Sequence, residues 1–173
     1  MPTLPELSAR EAEIAAVVER AVGLMEEKAA SLAAAGVFRS YADVLAGYVA
    51  LLRHPEAGLE ALKRAAFLVW YEVAEPACFS GLRDLPEPLV RATLAELDSA
   101  AVSARLDAEL AAMLGYYHSI ADFAFTRGGP WPALDRLLNA SDRHAWRTQV
   151  PPPEHRWSRG RLSDYWTSIS PVT

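Results

Sequence analysis

Between Leu62 and Pro76 the chain reads LKRAAFLVWYEVAEP, a helical run that turns apolar nearly all the way round after Arg64. A helix that is hydrophobic on every side is a core helix or a membrane span. This run holds about ten apolar-rich residues, well short of the ~20 a bilayer requires. It is expected to be the central element of a helical domain, with no membrane span, and it carries Glu72 into that core.

The rest of the chain supports an all-α reading. Ser8 with Glu11 three residues on has the spacing of a capping box. Apolar residues then recur at Ile14, Val17, Val18, Ala21, Leu24, Met25 and Leu32, which predicts one long first helix ended by Gly36. A second helix is expected after Ser40 and stops at His54-Pro55, because the residue before proline avoids the α region. Pro55 suits the first turn of a third helix, which runs to Pro76 with Leu59, Leu62, Ala66, Val69, Trp70 and Val73 on one side. Residues 77–84 read as a loop. A fourth helix follows with Asp84 as cap. A fifth starts near Ser103, with Leu106, Leu110, Met113, Leu114, Tyr117, Ile120, Ala121 and Ala124 on one face. Gly128-Gly129-Pro130 ends it, and Trp131 to Asn139 predicts a short sixth helix.

No segment alternates with a period of two over the length of a strand. The expectation is five to six helices in a compact bundle or orthogonal array, as one helical domain over residues 1–140. An irregular tail rich in Pro, Trp and Arg, residues 141–173, would pack on it, with the prolines at 151–153 extended. A chain of 173 residues suits a single core and needs no disulfides. Cys78 is the only cysteine, which fits a reducing compartment. The first residues, MPTLPELSAREAEI, lack the basic segment and apolar run of a secretory leader, so a cytoplasmic protein is expected. Arginine far outnumbers lysine, 15 to 2, and alanine is abundant, the usage of a GC-rich bacterial coding sequence.

Charge is unevenly spread. Residues 1–126 hold 18 acidic and 10 basic residues, and residues 127–173 hold 4 acidic and 7 basic, so the halves are net −8 and +3. Four of the five tryptophans also lie in the basic part. The plainest consequence is a basic tail packed on an acidic body. A basic aromatic arm could instead hold single-stranded nucleic acid by stacking, but the acidity of the whole chain argues against phosphate partners.

Few constellations carry chemistry. Glu72 falls about 120° from the centre of the apolar side of its helix and Glu75 nearly opposite that centre, on a wheel of ~100° per residue. A carboxylate in such surroundings is desolvated unless paired, which suits acid–base work. The structural reading is a boundary glutamate bonded to an arginine or a backbone amide. His118 and Asp122 lie one turn apart and could share a metal or form an oriented imidazole. The chain has no Glu-x-x-His pair of the kind a di-metal bundle uses, so no metal and no cofactor is predicted. Cys78 reads as a small buried thiol. No nucleophile elbow, phosphate loop, dinucleotide fingerprint or zinc spacing occurs. Trp70, Tyr116, Trp157 and Trp166 would line an apolar pocket with polar tips if they converged.

These readings favour a non-enzymatic helical protein that binds another protein, of a bacterial regulatory or immunity type. It would engage a protein partner or a second copy of itself through the long first helix or the tail. The competing expectation is a small-ligand binder or acid–base enzyme built around Glu72, with His118 and Asp122 nearby. A closed pocket holding Glu72 and His118 would favour the second, a filled core the first. The candidate binding residues are thus Trp70, Glu72, Tyr116, His118, Asp122, Trp157 and Trp166.

Overall fold

The structure is a computed structural model that describes residues 1–149 and 159–169. Within them the chain is all-helical. The α-helices are α1 (Leu4–Arg20), α2 (Met25–Ala34), α3 (Val37–Leu51), α4 (Gly58–Ala74), α5 (Ala77–Ser80), α6 (Glu87–Val102), α7 (Ala108–Ile120), α8 (Pro132–Ala140), α9 (Trp146–Gln149) and α10 (Arg161–Ile169), with a 3-10 turn at Asp122–Phe125. This is more than the five or six expected, because one predicted helix is divided and three helices, α5, α9 and α10, form in stretches read as irregular.

The LKRAAFLVWYEVAEP run behaves as its composition requires. It supplies most of α4, which packs against α3, α5, α6, α7, α10 and the 3-10 turn. Every residue from Ala61 to Trp70 is buried, including Lys63 and Arg64. A charge withdrawn from water costs several kcal/mol unless it is paired, and both cations are. Lys63 donates to Asp107 at 2.6 Å and to Glu109. Arg64 donates to Glu60 at 2.8 Å and to the Ser8 hydroxyl. Arg159 joins the two pairs, with bonds to Glu60 at 2.7 and 2.8 Å and to Glu109. A continuous ionic chain therefore ties α1, α4, the start of α7 and the lead-in to α10. Burial alone would raise the Glu60 carboxyl, but the bonds and charges of Arg159 and Arg64 outweigh it and hold it below its ordinary range.

Several expected boundaries are corrected. The capping box sits at Thr3 and Glu6, not at Ser8 and Glu11. The Thr3 amide donates to the Glu6 carboxylate at 2.7 Å, and the Glu6 amide donates to the Thr3 hydroxyl at 3.4 Å. Ser8 and Glu11 are buried inside α1. The long first helix is two helices. Gly23, at φ +112°, turns the chain, and the Glu27 carboxylate accepts the Leu24 amide at 2.8 Å to start α2. Leu24 and Met25, expected on the inner stripe, are exposed as a result, at 75% and 52%. Leu59 and Ile120 also face outward. The left-handed Gly36 precedes α3, which starts before Ser40. His54 and Pro55 lie outside the helices, and α4 begins at Gly58. Asp84 does not cap α6; it takes φ +52° in the loop before it. Asp107 caps α7 by accepting the Leu110 amide at 2.8 Å.

The tail is not merely irregular. α10 packs on α1 and α4, and its Leu162 and Trp166 are buried. The prolines at 151–153 and Trp157 lie outside the described residues.

Candidate functional site

Glu72 lies in the last turn of α4, where the helix turns from fully buried to half-covered. Its carboxylate accepts the Leu85 amide at 2.6 Å and the Arg127 guanidinium at 2.5 Å. Its side chain is only 8% exposed, and that of Arg127 is 24% exposed. The loop after α5 and the segment after the 3-10 turn are thereby pinned to the end of α4. Arg127 also reaches toward Glu87 at 3.9 Å.

Around this pair opens a cleft of about 840 Å³. Apolar atoms of Val73, Ala74, Leu82 and Leu85 line it, and Pro76 and Pro86 stiffen its edges. Its charged lining is Glu72, Glu75, Asp84 and Glu87 against Arg83 and Arg127, four carboxylates to two guanidiniums. The carbonyl end of α4 adds negative potential, which favours cations. Arg83 is drawn aside over the Phe38 ring, 5.8 Å from its centroid. Glu75 and Asp84 make no side-chain hydrogen bond or ion pair with the described residues. The arrangement can hold positive charge against an apolar floor. Among the described residues no group of three or more His, Cys, Asp or Glu side chains has the geometry of a metal site.

The other sequence candidates fall elsewhere. Trp70, Tyr116 and Trp166 do converge, in one ring cluster with Phe67, Tyr71, Tyr117, Trp146 and Tyr165. Trp70 stacks on Tyr117 at 4.3 Å, and Tyr116 packs on Trp166 at 5.1 Å. Phe67, Trp70, Tyr117 and Trp166 are buried, and Tyr71, Tyr116, Trp146 and Tyr165 pack half-buried around them. The Trp70 indole donates to the Tyr117 carbonyl at 3.1 Å, the Trp166 indole to the Tyr117 hydroxyl at 3.2 Å, and Tyr116 and Tyr165 share a hydroxyl bond of 2.8 Å. The polar tips of Trp70, Tyr116 and Trp166 are thus each engaged by a neighbour within the cluster. His118 is half-buried in the last turn of α7, and Asp122 is exposed and accepts the amide of Phe123. No hydrogen bond or ion pair joins them, and neither lines the Glu72 cleft. Cys78 is buried.

Arg127 and Glu87 carry no mark in the sequence, and Asp84 reads there only as a helix cap. Arg127 stands 55 positions from Glu72, and periodicity carries no information on such a pairing. The acidic residues flanking Pro76 and Pro86 were the only local signal. A second cleft, beside His54 and Arg105, gave none. Comparison with protein-family models, with curated proteins and with solved structures yields no match for this chain.

Proposed function

We propose that the protein acts by binding another protein, and that the cleft at the end of α4 takes a basic, extended segment of that partner. The state of Glu72 carries this reading. The one carboxylate that acid–base chemistry would have used is committed to Arg127 and to the Leu85 amide, so it holds the wall of the cleft instead. A general acid or base needs a free proton site within reach of a substrate, and this carboxylate is engaged on both oxygens.

Shape and charge agree with a macromolecular partner. Small-molecule sites enclose most of their ligand, whereas this cleft is open to solvent along its length. The unengaged carboxylates of Glu75 and Asp84 lie on its rim, where a Lys or Arg side chain can reach them while its methylene stem covers the apolar floor. Such rim charges set association rate and selectivity more than affinity.

The test is fluorescence anisotropy with a labelled Arg/Pro-rich peptide and an acidic peptide of equal length. The wild type binds the basic peptide alone, more weakly as salt rises. The double substitution Glu75→Lys, Asp84→Asn removes binding without loss of folding, since neither side chain is paired and asparagine tolerates the left-handed backbone at position 84. Failure of the basic peptide to bind, or equal binding by the variant, refutes the reading.

A further inference from the structure

The second cleft, about 560 Å³, lies where the α3–α4 turn meets the end of α6. We propose that it is a binding site for a small amphiphilic anion, an apolar body with a single carboxylate or phosphate head. Its volume falls in the range of small-molecule pockets, roughly 300–1,000 Å³. Leu52, Leu62 and Ala100 form an apolar floor, and Leu59, a large side chain left 36% exposed, stands at its edge.

Hydrogen-bond donors gather at the same opening. Arg105 is held in place: its Nε donates to the Ser103 hydroxyl at 2.9 Å, and its Nη2 to Glu96 at 2.8 Å and Ser99 at 3.4 Å. A guanidinium has five N–H donors, and the two on Nη1 have no acceptor among the described residues. The guanidinium is therefore preorganised with one edge unused. Arg53, exposed on the facing turn, has no acceptor among the described residues either.

His54 completes the set. Its Nδ1 accepts the amides of Glu56 and Ala57, both at 3.3 Å, so in the neutral ring the proton sits on Nε2. That N–H likewise has no acceptor among the described residues. Two arginines against Glu96 leave the lining net positive, on a chain whose formal charge is −5. Gly58 closes the turn that presents these donors; a Cβ there would stand 2.5 Å from the Leu52 carbonyl oxygen. The α4 cleft is acidic, so the two sites select opposite charges.

The experiment is isothermal titration of the full chain with octanoate, with octyl phosphate and with octan-1-ol as the neutral control. At least one anion binds saturably at a single site and more tightly than octanol, and which one binds identifies the head group. Arg53→Ala weakens that binding about tenfold, the equivalent of one charged hydrogen bond. Ser99→Trp abolishes it by plugging the cleft from an exposed position. Both residues lie on the surface, so the fold is preserved, which unchanged melting verifies. The proposal is overturned if neither anion binds, if octanol binds as well, or if both variants bind like the wild type.

Discussion

The Glu11 carboxylate accepts the backbone N–H of Arg161 at 3.1 Å, across 150 positions of sequence. Glu11 is 1% exposed, and Arg64 and the Tyr48 hydroxyl lie beside it. The Tyr48 hydroxyl meets hydrogen-bond geometry with neither. This contact docks the start of α10 onto α1, while the Arg159 pairs tie the lead-in to α4 and α7.

Burial pushes the Glu11 carboxyl up to about 7 from an ordinary 4.5, against the opposing pull of the Arg161 amide and Arg64. Between these two values the folded chain holds a proton that the unfolded chain has released. Stability therefore falls as pH rises through this window and levels off above it. Glu11→Gln keeps an acceptor for the Arg161 amide and removes the titration. It should flatten this part of the profile and stabilise the protein at pH 8 by roughly 3 kcal/mol. Urea unfolding from pH 5 to pH 8 measures the difference, and parallel profiles would show that Glu11 does not titrate in this range.

Gly160 is required for the same contact. It takes φ +60°, and an added Cβ would stand 1.5 Å from a Glu11 carboxylate oxygen. Gly160→Ala is expected to lower stability by more than ~1 kcal/mol and to loosen α10. Because Trp166 packs on Tyr117, near-UV circular dichroism should weaken in the aromatic region. A spectrum identical to wild type would mean that α10 docks without this turn.

Leu114 and Leu59 were both expected in the core. Leu114 is fully buried, and Leu59 is not. Leu114→Ala should cost about 2–5 kcal/mol through the cavity it leaves, whereas Leu59→Ala should stay within about ±0.5 kcal/mol. Equal losses in chemical denaturation would put the α4 face at Leu59 inside.

What the sequence disclosed is the local, periodic part of the structure. Val69, Trp70, Leu114 and Tyr117 were placed in the core from helical spacing and are buried there. The break in the first helix was missed because a lone Gly23 inside a helical pattern is ordinarily tolerated. α10 is not among the expected helices: Leu162, Tyr165, Trp166 and Ile169 follow helical spacing over only nine residues, and the prolines at 151–153 favour an extended tail. The ionic chain was beyond reach. Periodicity marks Lys63 and Arg64 as lying in an apolar helix, but nothing local says that Arg159, 99 positions from Glu60, completes their pairing. Both clefts are likewise assembled from separate segments.

The functional reading rests on the Glu72 carboxylate being structural, and thermal or urea unfolding of Glu72→Gln at pH 7 tests this most directly. A glutamine keeps an acceptor for the Leu85 amide but leaves Arg127 without its buried counter-charge. The variant should lose about 1.5–3 kcal/mol, the worth of a charged hydrogen bond, and melt below the wild type. A midpoint equal to or above that of the wild type would show that the charge is a burden to the fold. Glu72 would then stand as a functional acid in its cleft, and the binding account would be contradicted.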